Sequence, residues 1–218
     1  MRAEIEASLR RLQTDWIDLY QVHWPRPGGD IEEGWSEIAR AVKAGKIRHA
    51  GVSNFSREQI ERVLPIHPVA SLQPPYSMLR REVEEELLGW CASRGIGVVA
   101  YSPMQNGLLS GAFTRQRIAA LRADDWRRES PHFTEPALSA NLELVEGLKR
   151  IAARSRRTPG QLAIAWVLRR PELTAAIVGS RRPSQVDETL GGADWDLGPE
   201  ESAEVEQLLA ERLRKLPR

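Results

Sequence analysis

Residues 45–55 have the sequence Gly-Lys-Ile-Arg-His-Ala-Gly-Val-Ser-Asn-Phe. Gly45 ends a helical pattern that begins at Ile31, and glycine is a frequent residue just past the end of a helix. The residues that follow predict a β-strand over Ile47–Ser53, with the polar Asn54 directly after it. A helix, a tight turn and a strand in direct succession are typical of α/β proteins with parallel strands.

The same succession is predicted along the rest of the chain. A helix over residues 2–12 comes first, and five strands then alternate with helices. A long loop is predicted from Pro103 to about Ala140. The pattern predicts an α/β fold with parallel strands and crossover helices, in a single domain over residues 1–218. The strands are predicted over residues 16–22, 47–53, 69–73, 96–102 and 175–179, and the later helices over residues 31–44, 56–64, 80–94, 142–151, 159–170, 183–190 and 199–213.

The composition argues against several function classes. The 31 Lys and Arg residues balance 30 Asp and Glu residues, so a net charge of +1 gives no field that would attract nucleic acid or an anionic membrane. No apolar run reaches the roughly 18 residues of a membrane span. Cys91 is the single cysteine, so no disulfide forms within the chain. We therefore expect a cytoplasmic protein in which the Cys91 thiol is buried and inert.

Polar side chains follow the predicted strands at the point where each strand ends. In a parallel α/β fold the ligand sits at the carboxyl ends of the strands, so these groups would converge on one site. Each alone has an ordinary alternative: Asn54 as a helix cap or Asx turn, and His23 as a hydrogen-bonded core residue. The strand ends carry His23, Ser53-Asn54, Gln73, Tyr101-Ser102 and Gly179-Ser180.

Side-chain alternation along the first strand supports a functional role for His23. Successive side chains point to opposite faces of a strand, so Gln21 and His23 share one face with Ile17 and Leu19. Tyr20 lies on the other face. If the first face points inward, His23 is its last inward residue.

Five motifs include the strand ends named above. They are Asp-Trp-Ile-Asp-Leu-Tyr-Gln-Val-His-Trp-Pro at residues 15–25, the stretch 45–55 quoted above, Ser-Leu-Gln-Pro-Pro-Tyr at 71–76, Val-Ala-Tyr-Ser-Pro-Met at 99–104 and Ile-Val-Gly-Ser-Arg-Arg-Pro at 177–183. In this order they resemble the aldo-keto reductase family, and the resemblance covers the chain from Arg2 to about Leu213. It implies an incomplete (β/α)8 TIM barrel, because the five predicted strands are fewer than the eight that close such a barrel.

The resemblance implies a role for each matching residue. His23 would be the catalytic histidine that hydrogen-bonds the substrate carbonyl, and Trp24 would wall the substrate pocket. The other matching residues would bind a nicotinamide cofactor, and we expect no metal site. The cofactor residues are Ser53, Asn54 and Gln73 at the carboxamide, Tyr101 stacked on the nicotinamide ring, Ser102, Met104 and Gly107 along the pyrophosphate, Gly179 with Ser180 and Arg181 towards the adenosine 2′-phosphate, Gln185 beside them, and Glu188 at the adenine.

We expect the cofactor to be NADP(H) rather than NAD(H). A guanidinium such as that of Arg181 suits a phosphate. Two positions depart from the family pattern, since Gln185 stands where many relatives carry Arg and Thr189 where many carry Asn. The implied function is an NADP(H)-dependent oxidoreductase that reduces an aldehyde or ketone to an alcohol by hydride transfer.

The rest of the family's catalytic set is not found in this sequence. The Asp, Tyr and Lys that complete it come from three βα units before the histidine strand, and here only residues 1–14, one predicted helix, precede that strand. Tyr20 faces away from His23, Tyr76 has no lysine near it in sequence, and Tyr101 would be occupied by stacking. We therefore expect little carbonyl reductase activity from the isolated chain.

Two alternatives stay open at this point. The chain is either an oxidoreductase of this family, whole or in part, or a non-catalytic NADP-binding or interaction module. A truncated gene product, a miscalled start and one half of a split protein would each explain the short N-terminal region. The outer strands of an unclosed sheet would present open edges, so self-association is also expected.

Overall fold

The computed structural model describes residues 1–25 and 29–217. Its strands are named β1–β5 and its α-helices α1–α9 in chain order. No helix among these residues is both long and apolar enough to cross a bilayer. The elements are α1 Arg2–Leu12, β1 Ile17–Val22, α2 Ile31–Lys43, β2 Ile47–Ser53, α3 Arg57–Val63, β3 Ser71–Gln73, α4 Leu87–Ser93, β4 Gly97–Tyr101, α5 Arg115–Ala119, α6 Ala137–Arg154, α7 Pro159–Leu168, β5 Leu173–Ile177, α8 Pro183–Ala193 and α9 Pro199–Arg214.

The five strands form one parallel sheet in the order β1-β2-β3-β4-β5. Each strand therefore lies beside the strands that precede and follow it in sequence, which confirms the predicted α/β class with crossover helices. The register pairs Gln21 with Gly51, and Gly51 in turn with Ser71. β1 and β5 are the outer strands of this sheet, and self-association through their edges stays a prediction.

The chain divides into two compact units, which are described separately. Unit 1 comprises Met1–Pro75, Glu82–Tyr101 and Glu172–Ala175, and unit 2 comprises Tyr76–Arg81, Ser102–Pro171 and Ala176–Arg218. The prediction of one domain over residues 1–218 stays a prediction.

The core of unit 1 lies where helices cover the outer face of the sheet. Helices α2 and α4 pack on β2 and β4. The sheet residues beneath the helices are at most 1% exposed, so each contributes nearly its full apolar surface to burial. These residues are Ala50, Val52, Leu72, Val98 and Ala100.

The core of unit 2 is helical. Helix α6 packs on α7 and α9, and α7 packs on α8. Leu148, Leu162 and Trp166 are fully buried among these helices. A second apolar cluster forms in the segment before α6, where the Phe113 and Phe133 rings meet edge to face at 5.2 Å.

Several local predictions are confirmed by their hydrogen bonds. The Ser56 hydroxyl accepts a bond from the Gln59 N–H while the Gln59 side chain accepts one from the Ser56 N–H, so the predicted capping box opens α3. Thr158 and Gln161 form the same box at α7. Gly45 has φ +75°, the left-handed conformation expected past the end of α2.

The structure differs from the prediction most in three places, and most other element boundaries agree within two or three residues. The helix predicted over residues 80–94 is a 3₁₀ turn at Glu82–Glu84 followed by α4. The glutamates of residues 82–86 stand three and four positions apart, a spacing that disfavours a continuous helix by about 0.2–0.5 kcal/mol per pair. The predicted long loop contains α5, which Thr114 caps, and α6 begins at Ala137. β5 begins at Leu173 and ends at Ile177, two residues earlier than predicted, with Thr174 beside Gly97 of β4.

Candidate active site

Asn54 joins the carboxyl ends of three strands in unit 1. Its Nδ2 donates to the backbone oxygen of His23 at 2.9 Å and to the hydroxyl of Ser53 at 3.1 Å. Its Oδ1 accepts a hydrogen bond from the Tyr101 hydroxyl at 2.8 Å. The backbone of Asn54 has φ +61°, a left-handed conformation that asparagine adopts more readily than most residues. The residue thus ties the ends of β1, β2 and β4 together.

Ser53 and Gln73 are held side by side at the ends of β2 and β3. The two residues pair in the sheet register. The backbone oxygen of Gln73 accepts a hydrogen bond from the Ser53 hydroxyl at 2.7 Å and another from the Asn54 N–H at 3.2 Å. Ser53 is buried, at 2% exposed, and Gln73 is half-buried. The structure therefore brings four of the predicted strand-end residues into one hydrogen-bonded cluster, namely Ser53, Asn54, Gln73 and Tyr101.

A row of polar side chains crosses the sheet beneath this cluster, and the sequence did not single it out. The Gln21 Nε2 donates to the Ser71 hydroxyl at 3.0 Å, and the Gln73 Nε2 donates to the Gln21 Oε1 at 2.8 Å. Gly51 lies between Gln21 and Ser71 in the register. A Cβ at Gly51 would lie 2.3 Å from the Ser71 hydroxyl oxygen, so only glycine leaves room for the crossing. The glycine within a strand was the one available signal.

His23 follows β1, and its imidazole is exposed. Its ring lies 6.0 Å from that of Trp24, which is 56% exposed. A cavity of about 890 Å³ lies beside β1, and its walls include Gln21, His23 and Trp24 as well as residues of α1 and α2. Among the described residues, Asn54 and Gln73 are not part of its walls. The cavity therefore adjoins the predicted substrate side of the site rather than the predicted cofactor side.

The three tyrosines of the chain have different surroundings. Tyr20 lies on the α1 side of β1, and burial raises the pKa of its hydroxyl above the usual value, opposed by a hydrogen bond with Ser8. Tyr76 is fully buried, with its ring 5.5 Å from that of Trp166 in unit 2. The Tyr101 hydroxyl is engaged by Asn54. Tyr20 is a poorer proton donor than a free tyrosine at neutral pH.

The loop after β4 lies in unit 2 and carries the residues predicted to contact the pyrophosphate. Ser102 has φ +57° and Gly107 has φ +91°, and the backbone turns tightly between them. The Met104 carbonyl accepts hydrogen bonds from the N–H groups of Gly107 and Leu109. Ser102 also donates from its hydroxyl to Asn106 at 3.3 Å. The contact of this loop with a pyrophosphate stays a prediction.

The residues predicted to bind the adenosine end also lie in unit 2. Because β5 ends at Ile177, Gly179 and Ser180 follow the strand by two and three residues instead of ending it, which corrects the prediction. Ser180 and Arg181 have exposed side chains. Hydrogen bonding to Arg127 lowers the pKa of Asp125 to about 2, and the charge of Arg181 adds to this lowering.

Gln185 has a structural role that the sequence did not indicate. Its Oε1 accepts hydrogen bonds from the backbone N–H groups of Arg181 at 2.7 Å and Arg182 at 3.2 Å, so it caps α8. Gln185 therefore keeps only its amide N–H groups for a ligand.

Glu188 is exposed, and its backbone oxygen accepts a hydrogen bond from the Gln161 side chain of α7.

Cys91 lies on α4 and is fully buried. Burial raises the pKa of its thiol to about 11, so the thiolate that acts as a nucleophile is scarce at neutral pH. This agrees with the prediction of an inert thiol.

Comparison with known proteins identifies relatives along nearly the whole chain. The model of the aldo/keto reductase family matches residues 1–210. The aldo-keto reductase YhdN of Bacillus subtilis is 37% identical over 207 residues, which cover 94% of this chain and 62% of that protein. A probable aldo-keto reductase of Glycine max is 31% identical over 205 residues, covering 94% of this chain and 58% of that protein.

A solved structure extends the similarity to the fold. The glycerol dehydrogenase from Gluconobacter oxydans is 33% identical, with a TM-score of 0.92, and the match covers 100% of this chain and 65% of the dehydrogenase. This similarity, with five parallel strands in sequential order, confirms the predicted incomplete (β/α)8 barrel. The chain spans roughly three fifths of the length of the relatives it matches. It belongs to the aldo/keto reductase family.

Proposed function

We propose that this chain carries the cofactor site and the catalytic histidine of an NADP(H)-dependent oxidoreductase that reduces an aldehyde or ketone to an alcohol. The observation that carries the proposal is the Asn54 cluster, in which one side-chain amide links His23, Ser53 and Tyr101 at the carboxyl ends of neighbouring strands. Ligands of α/β folds bind at this end of the strands.

The residues present fit the chemistry of a nicotinamide dinucleotide. A carboxamide both donates and accepts hydrogen bonds. The Asn54 Nδ2 and the Ser53 hydroxyl hydrogen are used within the cluster, so Gln73 offers the remaining N–H and an acceptor oxygen. The oxygens of Ser53 and Asn54 each keep a lone pair as further acceptors. The Tyr101 ring is available for stacking, and the exposed Ser180 and Arg181 suit the 2′-phosphate. When bound, the reduced cofactor supplies the hydride.

In the proposed reaction His23 orients the substrate. Its exposed imidazole would donate a hydrogen bond to the carbonyl oxygen, and Trp24 would pack against the rest of the substrate. The hydrogen bond from the Asn54 side-chain Nδ2 to the His23 backbone oxygen holds the backbone of the histidine next to the carboxamide residues. We expect the substrate to be a small carbonyl compound. We also expect the protein to be cytoplasmic.

A second candidate function is cofactor binding without turnover. It is favoured by the state of the tyrosines, since Tyr20 has a raised pKa and the Tyr101 hydroxyl is bonded to Asn54. Neither is suited to give a proton to the carbonyl oxygen.

A titration separates the two candidates. NADPH is added to the chain while tryptophan fluorescence is followed, and an aldehyde is then added. Quenching followed by NADPH consumption supports the reductase, and quenching without consumption supports the binding module. Absence of quenching, together with no heat of binding in calorimetry, would contradict both.

Arg181→Gln tests the choice of cofactor. We expect the variant to lose about tenfold or more in affinity for NADPH with little change for NADH, because a charge-assisted bond to the 2′-phosphate is removed. Arg182→Gln, at the neighbouring exposed position, is the matched control and should leave both affinities unchanged. Equal effects of the two substitutions would argue against a specific phosphate contact at Arg181.

A further inference from the structure

We propose that Gln21 is a positioning residue for the nicotinamide end of the site. It fixes the side-chain amide of Gln73 so that the Gln73 Oε1 accepts a hydrogen bond from the carboxamide N–H of the cofactor. The proposal rests on the proposed function, because it takes Gln73 as a carboxamide ligand.

The sheet register brings Gln21 to its position. Gln21, Gly51 and Ser71 form one row across β1, β2 and β3, and the side chains of Gln21 and Ser71 lie on the same face of the sheet. Because Gly51 has no side chain, Gln21 reaches across β2 and contacts β3 directly. A Cβ at Gly51 would also lie 3.0 Å from the Gln21 Cγ, so any larger residue there would displace Gln21.

The Gln21 amide bonds two residues of β3 at once. Its Nε2 donates to the Ser71 hydroxyl at 3.0 Å, and its Oε1 accepts from the Gln73 Nε2 at 2.8 Å. The backbone of Gln73 is fixed separately, because its carbonyl oxygen accepts bonds from Ser53 and Asn54. Hydrogen bonds therefore hold both the backbone and the side-chain amide of Gln73.

This arrangement sets which atom of Gln73 is left for a ligand. One amide hydrogen of Gln73 is used by Gln21, and no hydrogen bond to the Gln73 Oε1 is found among the described residues. The Asn54 Nδ2 already donates to His23 and Ser53. A free acceptor on Gln73 complements the N–H₂ of a carboxamide. Without Gln21 the Gln73 side-chain amide is free to rotate. It would then present its N–H₂ group, instead of its Oε1, to the N–H₂ group of the cofactor carboxamide.

The test compares two cofactors that differ in one group. NADP⁺ carries a carboxamide, and 3-acetylpyridine adenine dinucleotide phosphate carries a methyl ketone without an N–H donor. We expect the native chain to bind NADP⁺ about 5–10-fold more tightly than the acetylpyridine analogue, the worth of one hydrogen bond. In Gln21→Met this ratio should fall to near one, through weaker binding of NADP⁺. The affinity for 2′,5′-ADP, which has no nicotinamide, should not change.

Two further variants control the comparison. Gln116→Met makes the same chemical change at an exposed position of α5 and should keep the native ratio. Gln21→Glu keeps an acceptor for the Gln73 Nε2, while Ser71 can donate to the other carboxylate oxygen, so it should restore most of the ratio. A native ratio in Gln21→Met would overturn the proposal.

A measurement without cofactor separates this inference from the proposed function. The ¹⁵N relaxation of the Gln73 side-chain amide should report an ordered group in the native chain and a mobile one in Gln21→Met. If Gln73 is equally ordered in both, Gln21 does not position it. If NADP⁺ does not bind the native chain, the proposed function fails, while the relaxation result still decides whether Gln21 fixes Gln73.

Discussion

Strands β1 and β2 are neighbours in the sheet, and each ends in a residue predicted to belong to the active site, yet their burial differs. β2 lies between β1 and β3, and Ile47 and Val52 are at most 1% exposed. On β1, which is an outer strand, Leu19 is 41% exposed. Partners in the register show the same contrast, because Ile17 and Val22 of β1 are half-buried where Ile47 and Val52 of β2 are buried. The difference shows that burial comes from the neighbours a strand has in the sheet rather than from its own residues.

The same contrast holds for the site residues that follow the two strands. The Asn54 side chain after β2 makes three hydrogen bonds. The His23 residue after β1 is held by its backbone oxygen, and its imidazole is exposed. In the proposed site, the carboxamide residues are therefore preorganised to a greater degree than the substrate-orienting histidine.

The largest expected effect tests the contrast in burial directly. Ile47→Ala on β2 should lower the free energy of unfolding by about 2–5 kcal/mol, because it leaves a cavity in a packed core. Leu19→Ala on β1 should lower it by less than about 1 kcal/mol, since its side chain is already partly in water. Urea unfolding followed by circular dichroism measures both. Equal losses would mean that β1 is as well covered as β2.

The second effect concerns the fixed conformation of Asn54. Asn54→Gly should lower the free energy of unfolding by about 1–2 kcal/mol through lost hydrogen bonds. Asn54→Ala should lower it by about 1 kcal/mol more, because alanine is strained at φ +61°. Thermal unfolding of the two variants measures which of them is the less stable. An alanine variant as stable as the glycine variant would show that the left-handed backbone relaxes.

The third effect concerns the row of side chains across β2. Gly51→Ala should lower the free energy of unfolding by about 1–2 kcal/mol, because its methyl group would overlap the Ser71 hydroxyl. Gly89→Ala is the matched control, since a Cβ at that position of α4 meets nothing within 4 Å and alanine favours a helix. The control should be neutral or slightly stabilising in the same urea titration. A destabilised control would point to a general intolerance of glycine substitution.

The smallest expected effect on the free energy of unfolding concerns the exposed ion pair between β1 and β2. Arg48 of β2 donates to Asp18 of β1 at 2.7 Å, with side chains that are 56% and 72% exposed. Asp18→Asn should change the free energy of unfolding by less than about 0.5 kcal/mol, and added salt should remove even this difference. A loss above 1 kcal/mol that persists in high salt would show that the β1 edge depends on this pair.

Much of the secondary structure could be predicted because its causes are local. The capping residues Ser56 and Thr158 and the stop at Gly45 act within a few positions of themselves. The broken helix over residues 80–94 and the earlier β5 were mispredicted. In the first, glutamates stand at helical spacing within the predicted helix, and in the second the strand lies beside β4, a partner distant in sequence that local patterning does not locate.

The sequence by itself determined the order of strands and helices, the family motifs and the polar residues at or directly after the ends of β1–β4. Only the tertiary structure decided that Asn54 bonds His23 and Tyr101, that Gln185 caps α8, and that Gln21 crosses Gly51 to reach β3. Caps and strand alternation are set by neighbours along the chain. The contact of Gln21 with Ser71 spans 50 residues, and it exists because the sheet register puts the two in one row.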